Sequence, residues 1–265
     1  MFGRGALPIL TYHSLDDSGS ILSVAPRVFA EHMRLLHEAA VSTLTLPAAA
    51  QALRGGQGPP ARAVVLTFDD GFENFYEHAY PVLRRYGLTA TVFLVTGYCD
   101  KDNAWPGQPA TVERRPLLRW AQVKEMSGAG MAFGAHSRTH PDLTRLSSEG
   151  AEGEMLASKR AIEEALKRPV EGFAYPYGAY NEAVKRLAAA HFPLACSTRL
   201  DFAGLGSDLH ALERLDMYYL QHPRLFRLLL SGKARTYIRL RRWARAVRPA
   251  LARLGRSPSR VGNGA

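Results

Sequence analysis

Three short stretches carry side chains suited to acting on one reaction centre: TFDDG at 67–71, HSRTH at 136–140 and FAYPYG at 173–178. The first places two acids, Asp69 and Asp70, at the end of an apolar, β-branched run. Neighbouring carboxylates repel, and a turn needs only one of them. A bound cation eases the conflict by neutralising one of the pair. Asp70, His136 and His140 make a two-histidine, one-carboxylate ligand set. Three protein ligands leave coordination positions open, as catalytic sites require. A metal held there acidifies water and polarises a substrate carbonyl. Asp69 is then free to serve as general base. Gly71 lets the chain turn sharply without a Cβ penalty. Taken singly these signals are weak: Asp-Asp-Gly is a common turn, and His-x-x-x-His is often two surface histidines. His78, His191, His210 and His222 receive no role.

The hydrophobic pattern supplies the framework for these residues. Short apolar runs at 7–12, 63–68, 90–95, 131–135, 172–175 and 193–198 predict strands. Most do not alternate, so they read as buried on both faces, which suits parallel pairing. Helical patterns fill 26–39, 73–86, 118–128, 148–168 and 180–191. On the fourth of these, Glu154 with Ser158, and Glu163 and Glu164 with Lys167 and Arg168, read as a solvated face. Strand alternating with helix predicts an α/β fold with a parallel sheet or barrel. His13, Asp69 with Asp70, His136 and Tyr177 each come just after a predicted strand. They therefore gather at the C-terminal ends, where parallel α/β barrels build their sites. The stretch 54–63 is a loop, lacking the Gly-Lys-Ser/Thr ending of a phosphate cradle.

Composition narrows the functions. At 265 residues, one large domain is a plausible count. Cys99 and Cys196 are too few for a disulfide framework and fit a reducing compartment. The opening 15 residues do not read as a secretory signal, which points to a cytoplasmic location. Charge is uneven. Residues 221–265 hold 12 Lys plus Arg and no Asp or Glu, against 22 bases and 24 acids in residues 1–220. A near-neutral body argues against a nucleic-acid partner, which would need a positive groove.

Beyond these local patterns, TFDDG, HSRTH and FAYPYG resemble the first three motifs of the polysaccharide deacetylases, also called the NodB-homology or carbohydrate esterase 4 family. LTYHSL at 10–15, HPDLTRLS at 140–147 and SKRAIEEALKRPVEGFAYPYG at 158–178 are similar to family members as well. The likeness covers residues 7–218. It implies a distorted (β/α) barrel and one divalent metal ion, commonly zinc. It implies hydrolysis of an N-acyl, usually N-acetyl, group on an amino sugar or glycan. Asp69 matches the general base. Asp70, His136 and His140 match the metal ligands, and the Tyr177 backbone N–H matches the oxyanion donor. Iron, cobalt or nickel would suit the same ligand set.

Three departures stand out. The arginine that opens the third motif in many members reads Ala174 here, leaving Asp69 in need of another partner. Arg214, in LERLD after a predicted strand end, is the candidate. The downstream aspartate-tryptophan motif and the late acid histidine are not recognisable. His13, in TYHS, resembles the early histidine of the poly-N-acetylglucosamine subgroup, which serves as general acid. Imidazole as a group titrates near neutrality and suits protonation of a leaving amine. The plainer reading is that His13 only ends a strand.

Residues 1–220 thus read as the catalytic domain, and 221–265 as a basic helical extension with a frayed end. The basic, aromatic-containing run either lies on an anionic membrane surface, at the inner face, where a lipid-linked sugar would suit it as substrate, or packs on the barrel with a solvated basic side. Two other readings stand beside the hydrolase: a catalytically impaired carbohydrate-binding protein on the same fold, and a membrane-surface scaffold without metal.

Overall fold

The structure, a computed structural model, describes residues 2, 5–55, 58–108 and 112–254, and for residues 246 and 248–254 the backbone only. The frayed end expected at 255–265 lies outside the described residues.

Among the described residues ten strands run in chain order: β1 (Ala6–Leu7), β2 (Ile9–Tyr12), β3 (Ser42–Leu44), β4 (Ala63–Phe68), β5 (Thr91–Leu94), β6 (Ala132–Ala135), β7 (Gly172–Ala174), β8 (Leu194–Leu200), β9 (Ala203–Gly204) and β10 (Leu212–Asp216). Seven of them pair in parallel in the order β2-β10-β8-β7-β6-β5-β4. β4 returns to β2 through Ile9↔Val65 to Tyr12↔Phe68, and the sheet closes into a barrel. β3 pairs the start of β4 while β5 pairs its end, and β1 and β9 form a small antiparallel ribbon.

Between the strands lie α1 (Pro26–Glu38), α2 (Leu46–Arg54), α3 (Tyr80–Tyr86), α4 (Trp120–Gly128), α5 (Ser148–Leu166) and α6 (Glu182–His191). After them come α7 (Pro223–Leu230) and α8 (Arg235–Leu254). Local chemistry starts them where expected. Pro26 opens α1, and the Ser147 and Asn181 side chains accept from Gly150 and Val184 N–H at the heads of α5 and α6. The pattern at 73–86 is interrupted. Pro81 has no N–H to give, and the preceding turn widens so that Tyr80 N–H reaches Phe75 O.

Alternation along the strands divides the interior. Leu10, Tyr12, Leu66, Phe68, Val92 and Leu94 pack outward with the helices. Ile9, Val65, Phe93, Ala174, Cys196 and Leu212 form a second cluster, closed at one end by Leu46, Ala49, Ala50 and Leu53 of α2. In β4 the inward register runs Ala63, Val65, Thr67 and then Asp69, one step past the strand end. In β10 it runs Leu212 and then Arg214. Above the apolar plug sits a polar layer, where Thr11 and Thr67 share a 3.1 Å hydrogen bond. The fold thereby aims Asp69 and Arg214 at each other.

Several sequence expectations need correction. LERLD does not come after a strand end; it is itself strand β10, and its buried Glu213 and Arg214 hid it. Helix α2 and strand β3 are additions to the predicted elements. The solvated face assigned on α5 holds only in part. Glu164, Lys167 and Arg168 are exposed, but Ser158 is fully buried and Glu154 is tied to the HSRTH loop. Past residue 220, Phe226, Leu229, Ala234 and Ile238 belong to the same apolar cluster as the barrel. His32 of α1 stacks on Phe226 of α7 with ring centroids 4.0 Å apart.

Candidate active site

The turn after β4 separates the paired acids. Asp69 N–H still donates to Tyr12 O at 3.0 Å, so Asp69 keeps the strand register and faces inward. Asp70 and Gly71 then take φ of 71° and 73°. Left-handed backbone is costly for aspartate and free for glycine. A Cβ at Gly71 would also come within 2.9 Å of Leu94 Cδ2. This reversal sends Asp70 to the mouth and leaves Asp69 below it.

Asp69 meets Arg214 in a two-pronged pair, Nη1 to Oδ1 and Nη2 to Oδ2, each 2.7 Å. Asp69 and Arg214 are 3% and 2% exposed, so the pair is shut off from solvent. Arg214 is itself braced by Nε–H to Ser197 O at 2.9 Å. Burial alone would raise the Asp69 pKa. The Arg214 charge and its hydrogen bonds outweigh burial and hold it below the usual carboxylate range. Burial pulls the guanidinium the other way, yet Asp69 leaves it higher than usual.

Asp70 Oδ1 lies 3.3 Å from His136 Nε2 and 3.4 Å from His140 Nε2. All three residues are buried, and their ligand atoms fall within 4.8 Å of one another. The HSRTH loop is fixed from beneath. Ser137 and His140 have φ of 63° and 60°, and Ser137 Oγ accepts from His140 N–H at 2.9 Å. One carboxylate, Glu154, accepts from Arg138 N–H, Thr139 N–H and the Thr139 hydroxyl. His136 Nδ1 lies 2.7 Å from Ala174 O and donates to it, which turns Nε2 toward Asp70 as a lone-pair donor. The Trp105 ring packs 4.6 Å from the His140 ring.

This donor set fits a divalent transition metal: one carboxylate and two imidazoles, buried and converging. The three groups also respond to one another's charge. Burial opposes ionisation of Asp70, but His136 and His140 pull its pKa well below normal. Burial lowers both imidazoles. Asp70 overcomes this at His136, which ends raised, and not at His140, which ends lowered.

A cavity of about 470 Å³ opens above these groups, and His13, Asp69, Asp70, His136, His140 and Tyr177 all line it. His13 Nε2 is 3.8 Å from Asp69 Oδ2. Tyr177 has φ of 57°, and its half-exposed ring stands 4.5 Å from the His140 ring. Beside it, Gly178 packs so closely on Thr198 that any Cβ would overlap the hydroxyl. Asp216, half-buried at the end of β10, has its pKa raised by burial against the pull of His13.

Every residue singled out from the sequence therefore converges here, with Arg214 under the floor. Sequence reasoning missed the roles of Ala174, Glu154, Ser137 and Trp105. Ala174 acts through a carbonyl, so no side-chain signal could have marked it. Glu154 lies 14 residues past His140, inside a helix, where its spacing looks like surface.

The family model for polysaccharide deacetylase matches residues 56–193. YxkH of Bacillus subtilis (strain 168), a protein assigned to the polysaccharide deacetylases, is 31% identical over 210 residues, 79% of this chain and 70% of that protein. The poly-beta-1,6-N-acetyl-D-glucosamine N-deacetylase of Staphylococcus aureus (strain MSSA476) is 33% identical over 135 residues. That match spans 46% of this chain and 43% of the relative. Among solved structures, the Streptococcus pyogenes deacetylase PplD, in complex with acetate, superposes with a TM-score of 0.75 at 28% identity, over 86% of this chain and 98% of that one. IcaB from Ammonifex degensii shares the fold, with a TM-score of 0.70 at 24% identity over 86% of this chain and 97% of that one. With its barrel, its motifs and these relatives taken together, the chain belongs to the polysaccharide deacetylase family.

Proposed function

We propose that the protein is a metal-dependent hydrolase that removes an N-acyl group, most simply N-acetyl, from an amino sugar within a glycan. The observation that carries this reading is the meeting of an arginine-held carboxylate and an Asp-His-His cluster in one cavity. Asp70, His136 and His140 would hold one divalent ion, zinc first, with iron, cobalt or nickel as alternatives. When bound, such an ion supplies Lewis acidity, acidifying water and polarising the acyl carbonyl.

The chain's own groups do the rest. Asp69, kept ionised by Arg214, accepts a proton from the attacking water as the new C–O bond forms. Arg214 holds both carboxylate oxygens, so the base keeps one orientation. Tyr177 N–H donates to the oxygen that gains charge in the tetrahedral intermediate. As the C–N bond breaks, His13 protonates the departing amine; its place beside Asp69 at the rim supports that role. The acetate bound to the S. pyogenes relative, and the substrate in the S. aureus relative's name, support an N-acetylated glucosamine polymer as the first substrate to try.

The impaired-binder reading rested on Ala174 standing where an arginine was expected. Arg214 reaches the same carboxylate from another strand, which favours the enzyme. Incubation with N-acetylglucosamine oligomers should release acetate. Chelation should stop the release and added zinc or cobalt should restore it. Asp70→Ala should purify with markedly less metal. Metal-free protein with full activity would end the proposal.

A further inference from the structure

Helix α8 carries two faces with different tasks. Its inner face binds the barrel. Ala234, just ahead of it, and Ile238 are buried, and Tyr237 Oη donates to Tyr219 O at 2.8 Å. Arg241 lies over the Tyr219 ring at 5.3 Å, and Arg245 reaches Thr198 O at 3.4 Å. These contacts account for the arginines that point toward the protein.

The outer face is not accounted for by packing. At about 100° per residue, Leu240 and Trp243 point away from Ile238 and Arg245, and half-buried Val247 continues their stripe while lining a surface groove with Trp243, Tyr237 and Arg241. Leu240 is 62% and Trp243 68% exposed. Exposed Arg239 borders the stripe on one side and Arg242 stands on the same flank. Of the helix's described side chains, only Arg242 is ion-paired, to Asp201. No acid occurs from residue 221 onward, so nothing in this segment offsets the positive field.

We infer that this outer face of α8 docks on an anionic lipid bilayer, with Leu240 and Trp243 entering the interface and Arg239 meeting lipid phosphate. Trp is favoured at the headgroup boundary because its ring is apolar and its N–H is polar. Arginines keep their charge in water while their stems cover apolar surface. A wholly polar basic face would need only counter-charge; the apolar stripe beside Arg239 selects lipid over a bare polyanion. No helix among the described residues is long and apolar enough to cross a membrane, so the contact is peripheral. Docking sets the active site near the surface. Arg245 of this helix touches Thr198, which lines the metal cavity, and exposed Ile21 stands on that cavity's rim. The inference does not depend on the hydrolase reading.

The test sediments the full chain with vesicles of phosphatidylglycerol and phosphatidylcholine in a one-to-two mixture, and with phosphatidylcholine alone. The chain should bind the anionic vesicles and release as salt rises. Arg239→Ala should weaken binding about fivefold. Leu240→Glu/Trp243→Glu should weaken it by about tenfold or more. Acetate release from a soluble N-acetylglucosamine oligomer should be the same in all of them, so a docking failure and a hydrolase failure read separately. Undiminished sedimentation of the double variant, or equal binding to neutral vesicles, overturns the inference. So does a wild-type dimer that the same double substitution dissolves, since a second copy would then be the occupant.

Discussion

Arg214→Met tests the central electrostatic claim. Asp69 is 3% exposed and receives both prongs of one guanidinium at 2.7 Å. Burial pushes its pKa up, and Arg214 is the main force opposing it. Without that charge the burial effect prevails, opposed only weakly by His136 and His13. Removing one partner of a buried pair costs about 3–5 kcal/mol at neutral pH, because the other is left uncompensated. For a chain of this size that is a Tm loss on the order of 10 °C. In the wild type the depressed pKa contributes stability that is present above the unfolded carboxylate pKa and lost as pH falls through the folded one. In the variant the sign reverses. The penalty is full at neutral pH and shrinks as acid protonates Asp69, so the stability gap to wild type narrows on acidification. The acid limb of kcat/KM should move to higher pH, because the base now needs more alkaline conditions to ionise. Circular-dichroism melts at mildly acidic and mildly alkaline pH, with pH profiles of acetate release, read both effects. Arg214→Met/Asp69→Asn should recover much of the stability and none of the activity. An unchanged Tm with an unmoved acid limb would refute the reasoning, as would a gap that widens in acid.

Other substitutions probe separate links. Asp69→Asn should keep its metal, by elemental analysis of the purified protein, while turnover falls about 10²- to 10⁴-fold; retention of most activity would mean the base is another residue. His13→Ala should remove the alkaline limb of the pH–rate profile, and an unaltered profile would count against its role as acid. His32 is buried and pushed down to about 4, so it is neutral in the folded protein but charges once unfolded. Stability should therefore decline as pH drops from about 6.5 toward that value. His32→Gln should flatten this slope in urea titrations, and a slope unchanged by the substitution would reject His32 as its source.

Some of this was written in the order of residues alone. An apolar run such as AVVLTF, buried at all six positions, pairs in parallel wherever it falls, because neither face tolerates water. Polar, metal-capable residues placed just after such runs must collect at one end of the barrel, so Asp70, His136 and His140 were legible as a set. What the residues could not reveal was decided by distance in space. Arg214 lies 145 positions from Asp69, and only barrel closure through β10 and β2 brings the two together. The Ala174 carbonyl and the Glu154 clamp act through contacts that leave no spacing pattern. The direction in which Asp69 and Asp70 diverge is likewise a tertiary result. Strand pairing holds the first inward, and the left-handed turn at Asp70 and Gly71 carries the second to the mouth.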